Sequence, residues 1–146
     1  MITIENKKAY HDYFVEDTLE CGIILRGNEV KSIRQGKCSI KEAWITIQNS
    51  NLVLRGCHIT QWETANRFDV DETRERQLLA HKKEINKLFT YLQTQGNTLI
   101  PLKLYFKNGR CKILVGLCKG KHEYDKRDSL KQKDMQRQID RYMRDK

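Results

Sequence analysis

The sequence predicts a mainly β fold, an OB-like antiparallel β-barrel with one long and one short helix. Short segments rich in Ile, Val, Leu and aromatic residues recur, each bounded by Gly, Asn or charge, as strands are. Two segments with helical periodicity interrupt these strands. The 146 residues include one proline, Pro101, and no Gly/Ser-rich linker, which indicates one domain. Small barrels of this type commonly bind nucleic acid.

Six segments are predicted strands: YHDYFVE, LECGIIL, AWITIQ, LVLRGCHI, LIPLKLYF and CKILVGLC. The Asn108-Gly109 pair suits a type I′ hairpin, whose central residues both need a positive φ. This turn pairs Lys107 with Arg110 and Tyr105 with Lys112. One hairpin face is then apolar, and the other carries four cations around Tyr105. That outer face suits contact with a phosphate backbone, and the alternative is a solvated surface.

The short predicted helix is GNEVKSIRQGK, ended by Gly36 and carrying Lys31, a candidate RNA contact. The long predicted helix spans residues 71–96, capped by Asp71 or Thr73 and ended by Gly96. Apolar residues recur in it at helical spacing: Leu78, Ile85, Leu88 and Leu92. Its opposite side is cationic: Arg74, Arg76, Lys82, Lys83 and Lys87.

Charge indicates a polyanionic partner. Lys plus Arg number 28 against 19 Asp plus Glu, which gives a net charge of +9 and a pI near 9.4. The alternative is a soluble protein that happens to be basic. No apolar run approaches the ~20 residues that span a bilayer, and the N-terminus lacks the order of a signal peptide. We therefore expect no membrane partner and a cytoplasmic location, where five cysteines without a C-x-x-C pair are packing residues.

The sequence lacks three common catalytic or nucleotide-binding motifs: it has no Walker A loop, no G-x-S-x-G and no H-E-x-x-H. Asp12, Glu16, Asp17 and Glu20 form the densest acidic cluster, which could hold a metal for nuclease chemistry. A solvated charged segment is the favoured interpretation. We expect no catalytic residue, no metal and no cofactor.

Residues 121–146 are predicted to form a basic tail outside the barrel of residues 1–120. Ser129 to Gln132 match a capping box, and Met135 and Ile139 then share one helix side. The segment is too short for a stable free helix, so it should become helical only when an anionic partner holds it. The alternative is a terminal helix packed on the barrel.

Four stretches give the sequence a specific resemblance: NKKAYHDYFVE, ECGIILRGNEVKSIRQGK, RQLLAHKKEINKL and PLKLYFKNGRCKILVGLCKGKHEYDKR. In this order they resemble the bacterial SsrA-binding protein family, also called small protein B (SmpB). The resemblance implies an OB-like barrel that binds the tRNA-like domain of transfer-messenger RNA (tmRNA) in trans-translation. It also implies delivery of that RNA, charged with alanine, to stalled ribosomes, with elongation factor Tu engaged indirectly through the charged RNA.

The resemblance also implies site residues. Asn6, His11, Glu20 and Leu79 match positions tied to tmRNA binding. The tail segment acts at the decoding centre and message channel of the small-subunit ribosomal RNA, and its matching residues are Lys119, Gly120, Tyr124, Asp125, Lys126 and Arg127. The chain departs from the family at Trp44, often a tyrosine, and at His122 and Glu123, often basic. A general RNA-binding protein of OB type remains the rival interpretation.

Overall fold

The computed structural model describes residues 3–60 and 71–121, which form nine strands and three helices. The strands are β1 (Ile4–Glu5), β2 (Tyr13–Ile23), β3 (Cys38–Ser39), β4 (Trp44–Gln48), β5 (Asn51–Arg55), β6 (His58–Ile59), β7 (Arg76–Leu79), β8 (Asn97–Lys107) and β9 (Arg110–Gly120). The helices are α1 (Lys7–Asp12), α2 (Gly27–Arg34) and α3 (Lys82–Leu92). Within these ranges, no helix is long and apolar enough to cross a membrane.

The strands form a closed antiparallel barrel, as predicted. A seven-stranded sheet runs in the order β1-β8-β4-β5-β7-β2-β9, and β9 returns to pair with β8. All of these strands except β1 therefore lie in one ring, while β3 and β6 form a separate two-stranded ribbon. Buried Ile, Leu and Val side chains from the ring strands and from α2 and α3 fill its interior.

The β8–β9 hairpin confirms the predicted turn and register. Lys107 pairs with Arg110 and Tyr105 with Lys112. The φ angles of Asn108 and Gly109 are 54° and 75°, as a type I′ turn requires. The predicted apolar face lies in the barrel core at Leu104, Ile113 and Val115, whereas Leu102 is buried in a second cluster with Ala9, Ile100 and Cys118.

The long helix predicted over residues 71–96 is wrong in its first 11 residues, 71–81. Residues Arg76–Leu79 form strand β7, which pairs with both β2 and β5. Alternation explains the strand: Arg76 and Leu78 are buried, whereas Gln77 and Leu79 are exposed. Leu78 alone could not distinguish a strand from a helix, because a single buried position is compatible with both the strand period and the helical period.

Helix α3 therefore begins at Lys82 and ends at Leu92, before Gly96. Its first turn is capped by Glu84, whose Oε1 accepts from the backbone N–H of His81 at 2.9 Å. Neither Asp71 nor Thr73, the predicted caps, borders the helix.

Helix α1 replaces the first part of the strand predicted in YHDYFVE. Asn6 caps this helix, because its Oδ1 accepts from the backbone N–H of Ala9 at 3.2 Å. The Asn6 side-chain amide also donates to the carbonyls of Ile40 at 3.2 Å and Pro101 at 2.9 Å. These carbonyls are distant in sequence, so local patterns could not predict the helix.

A buried ion-pair network joins α2 to β7. Arg76 is 0% exposed, and its Nη2 lies 2.6 Å from Glu29 Oε2. Arg74 Nη2 lies 2.5 Å from the other carboxylate oxygen of Glu29. Burial alone would raise the pKa of Glu29, but hydrogen bonds from Arg74, the Arg26 backbone N–H and Arg76 together outweigh it and hold that pKa below its ordinary value. Arg74 and Arg76 are thus structural, not members of the predicted cationic helix face.

All five cysteines lie among the described residues and are free thiols, as the sequence predicts for packing residues. Cys21, Cys57 and Cys118 are buried, and Cys38 and Cys111 are partly buried. Burial raises the pKa of Cys21 and Cys118 to about 11, so both stay protonated at neutral pH.

Replacing Glu29 should destabilise the barrel strongly. Glu29→Gln leaves the buried Arg76 guanidinium without its counter-charge, and the free energy of unfolding should fall by about 3–5 kcal/mol. Urea denaturation followed by circular dichroism measures this loss. Lys87→Ala is the control, because it removes an exposed pair with Asp17 (3.0 Å) and should change stability far less. Equal, small effects of the two substitutions would contradict a structural role for the network.

Candidate nucleic-acid interface

A groove of about 550 Å³ opens on the outer face of the barrel, between β2, the β7–α3 corner and the start of β9. Apolar side chains line part of it, among them Leu25, Val30 and Leu79. The polar lining comes from Glu20, His81, Glu84, Arg110 and Lys112. An apolar surface edged by charges of both signs suits a ligand that has apolar faces and polar edges, as a nucleobase does.

Glu20 is held in this groove by two donors from β8. The Tyr105 hydroxyl donates to Glu20 Oε2, and Lys107 Nζ lies 3.5 Å from Oε1. The Tyr105 hydrogen bond and, less strongly, Lys107 and Lys112 hold the pKa of Glu20 below its ordinary value. Burial and the neighbouring carboxylate raise the pKa of Tyr105 to about 12, so the phenol keeps its proton and remains a donor. At neutral pH the site therefore presents an oriented carboxylate.

Leu79 is an exposed apolar residue, 52% exposed at the end of β7. It pairs with Gly22 of β2, where an added Cβ would lie 3.2 Å from the Leu79 Cβ. The missing side chain of Gly22 thus makes room for Leu79 at the groove wall. An apolar side chain in this position can pack against a base face.

Cations surround the carboxylate. Lys112 lines the groove directly opposite Gly22 and Tyr105 in the sheet, and Lys107 is exposed beside it. Lys31 is exposed on α2, one position after Val30 of the groove lining. The structure therefore brings together Glu20, Leu79, Lys107 and Lys112, with Lys31 on the adjoining helix.

Asn6 and His11 lie elsewhere, at the opposite end of β2. Asn6 is 1% exposed, and both its amide hydrogens are used within the barrel. His11 is exposed, with its Nδ1 2.9 Å from Asp12 Oδ1. The stretch of β2 from Tyr13 to Glu20 separates the two ends by roughly 20 Å at about 3.3 Å per residue.

The root of the predicted tail lies at that same end. Lys119 and Gly120 are the last residues of β9 and pair with Phe14 and Tyr13 of β2. Lys121 is fixed there as well, since its backbone N–H donates to the Asp12 carbonyl at 3.0 Å and its Nζ lies 4.9 Å above the Phe14 ring. The remaining predicted tail residues lie outside the described residues: Tyr124, Asp125, Lys126, Arg127, Met135 and Ile139.

The acidic cluster does not converge on a metal site. Glu16 Oε1 accepts from the Tyr91 hydroxyl at 2.8 Å, Asp17 pairs with Lys87, and Glu20 faces the groove. Within residues 3–60 and 71–121, no group of three or more His, Cys, Asp or Glu could hold a metal ion. The geometry thus gives the nuclease interpretation no support.

Sequence reasoning missed Tyr105 as the partner of Glu20, and His81 and Arg110 as groove residues. The hairpin register already placed Tyr105 among cations on the outer face. Its contact with Glu20, 85 residues away, depends on the pairing of β2 with β9, for which the sequence held no local signal.

A closed antiparallel barrel with a groove of mixed charge and an exposed apolar wall defines the class of small nucleic-acid-binding barrels. The family model for the SmpB protein matches residues 3–145. The chain therefore belongs to the SmpB family, which confirms the resemblance in its sequence.

Curated relatives agree with this assignment over nearly the whole chain. The SsrA-binding protein of Oceanobacillus iheyensis is 52% identical over 145 residues, which cover 99% of this chain and 94% of that protein. The SsrA-binding protein of a Geobacillus species is 49% identical over 142 residues, with 97% and 92% covered.

A solved structure also has the same fold. It comes from "tmRNA-SmpB: a journey to the center of the bacterial ribosome" and superposes with a TM-score of 0.70 at 37% sequence identity. The match covers 88% of this chain and 94% of the solved one.

Proposed function

We propose that this protein binds tmRNA and delivers it to stalled ribosomes for trans-translation. The barrel holds the tRNA-like domain, and the tail enters the empty message channel and the decoding centre. The groove around Glu20 is the single observation that carries the binding role. Membership of the SmpB family, relatives named for SsrA binding and a similar solved chain from a study of tmRNA-SmpB and the ribosome support the assignment.

The groove can recognise RNA by its bases as well as by its charge. Glu20 accepts hydrogen bonds from base amino and imino groups. Leu79 packs on a base face, and Lys112 and Lys31 neutralise nearby phosphates. Because a carboxylate repels phosphate, an RNA gains affinity here only when it presents base donors to Glu20. The acidic residue thus favours one RNA structure over bulk RNA.

Asn6 and His11 serve the proposed function differently. Asn6 acts through the fold, because its amide fixes α1 to the carbonyls of Ile40 and Pro101. His11 is exposed beside the tail root, where it can contact RNA directly. The groove and the tail root lie at opposite ends of β2, so the barrel can bind tmRNA at one end while the tail reaches the ribosome from the other.

The proposal assigns no catalytic step, metal or cofactor to this chain. Peptide transfer belongs to the ribosome, and elongation factor Tu is engaged through the alanine-charged RNA. Because its proposed site of action is the ribosome, we expect the protein to be cytoplasmic.

The rival function is that of a general RNA-binding protein. A competition assay, in which excess bulk tRNA is added to the labelled tRNA-like domain, separates the two functions. If the proposal is correct, the tRNA-like domain stays bound.

Glu20→Gln should weaken binding of the tRNA-like domain by roughly five- to a hundredfold, the factor that one good base contact contributes. Binding of bulk tRNA should not weaken, because phosphate contacts do not need the carboxylate, whose charge repels phosphate. Filter binding or fluorescence anisotropy measures both affinities. An equal loss for both RNAs, or none, would reject specific recognition by Glu20.

Lys112→Ala should make RNA binding less sensitive to salt. Each phosphate contact adds roughly 0.7–0.9 to the slope of log affinity against log salt concentration, so the slope should fall by about that amount. The affinity is measured between low and high KCl. Lys87→Ala is the matched control, because Lys87 lies outside the groove and pairs with Asp17. If Lys112→Ala left the slope unchanged, Lys112 would not contact phosphate.

A chain ending at Lys121 should keep its fold and most of its tmRNA affinity but lose tagging on stalled ribosomes. The cut leaves every described strand and the Lys121 contacts with α1 and β2 in place. RNA affinity and tagging in a reconstituted translation system are measured in parallel. If RNA affinity and tagging were lost together, the tail would have to be part of the tmRNA-binding site.

A further inference from the structure

The Glu20 carboxylate is unusually constrained for an exposed acid. Each oxygen has its own donor from β8: Oε2 has the Tyr105 hydroxyl, and Oε1 has Lys107 Nζ at 3.5 Å. An ionised carboxylate offers about four acceptor positions, so roughly two remain for a ligand. The carboxylate therefore presents its remaining acceptor positions to the groove.

Strand order makes Tyr105 suited to this contact. Glu20 pairs with Leu114 of β9, and Tyr105 pairs with Lys112 of the same strand. Glu20 and Tyr105 thus lie diagonally across β9, on strands that are about 10 Å apart at 4.8 Å per strand spacing. A tyrosine side chain can extend its hydroxyl over the intervening strand, and its rigid ring gives the bond a defined direction.

The two donors differ in what they contribute. Lys107 is a flexible point charge that is more than half exposed, and it can leave Glu20 for an RNA phosphate. The Tyr105 hydroxyl is neutral and belongs to a half-buried side chain of the barrel, so it can orient the carboxylate without cancelling its charge. A base donor then meets an ionised acceptor in one orientation.

We propose that Tyr105 is the positioning residue of the RNA site and orients Glu20 for hydrogen bonds from nucleobase donors. The inference rests on the proposed function of the groove and deepens it. It separates the cations, which attract any RNA, from a Tyr105–Glu20 pair that selects the RNA presenting base donors.

The pair gives the site a defined pH dependence. The charged or titratable groups around Glu20 come from its own strand and three neighbouring elements: Cys21, Tyr105, Lys107, Arg110, Lys112, His81 and Glu84. Because the Tyr105 bond is the largest cause of the lowered pKa of Glu20, its removal should raise that pKa towards the ordinary 4.5. A raised pKa means protonation at higher pH. As the pH is lowered, the protein without the Tyr105 hydroxyl should therefore lose affinity for the tRNA-like domain at a higher pH than the parent protein does.

The test compares two hydroxyl deletions in the full chain. Tyr105→Phe keeps the ring and removes the bond to Glu20. Tyr91→Phe is the matched control, because Tyr91 donates to Glu16 at 2.8 Å in a similar pair outside the groove lining. Carboxyl ¹³C NMR follows the titration of Glu20 in the free protein. The affinity for the tRNA-like domain is measured against pH, with and without Glu20→Gln, and thermal unfolding checks that each variant is folded.

We expect Tyr105→Phe to raise the pKa of Glu20 and to weaken RNA binding by ~2- to 10-fold, the range of the net contribution of a typical hydrogen bond. In the Glu20→Gln background it should cost nothing further, and Tyr91→Phe should change neither quantity.

Two results would overturn this inference but leave the proposed function intact. One is an unchanged titration of Glu20 in Tyr105→Phe. The other is a loss of affinity from Tyr105→Phe that is equal with and without Glu20→Gln. The second would mean that Tyr105 contacts RNA itself. If Glu20→Gln binds the RNA like the parent, the proposed role of Glu20 fails and the positioning role falls with it.

Discussion

Strand β9 is hydrogen-bonded along nearly its whole length to two neighbours, β2 on one side and β8 on the other. This double pairing closes the ring. It also fixes which side chains share the outer face, because a one-residue slip would turn every side chain of the strand to the opposite face. Glu20, Lys112 and Tyr105 come from three strands and meet only in this register. The groove is therefore a consequence of barrel closure, not of any one segment.

The tight Asn108-Gly109 turn sets the register of β8 with β9, and a bulge then adjusts it. The register shifts between Pro101 and Lys103, which leaves Leu102 as the extra residue. The side chain of Leu102 lies over Gly116, where an added Cβ would come within 2.9 Å of it. Leu102 is buried in a second apolar cluster with Ala9, Ile100 and Cys118, whereas Tyr105 lies between the turn and the bulge, where the hairpin register alone places it on the outer face.

The sequence predicted what is encoded locally. Alternating apolar residues and an Asn-Gly turn were sufficient for the β8–β9 hairpin, and Gly36 correctly marked the end of α2. The errors arose where distant partners decide. Arg76 is buried in a strand because Glu29, 47 residues away, neutralises it. The residues of the groove were in part recognised through the family resemblance, but their arrangement around Tyr105 required the pairing of β2 with β9.

The central claim is that the groove end of β2, and not the tail-root end, holds the tRNA-like domain of tmRNA. Titrating that RNA into the ¹⁵N-labelled protein and following backbone amide shifts tests it directly. We expect the largest changes at Glu20, Leu79 and Lys112, and smaller ones at Phe14 and Lys119 of the tail-root end. Changes centred on Phe14 with the groove unaffected would contradict it.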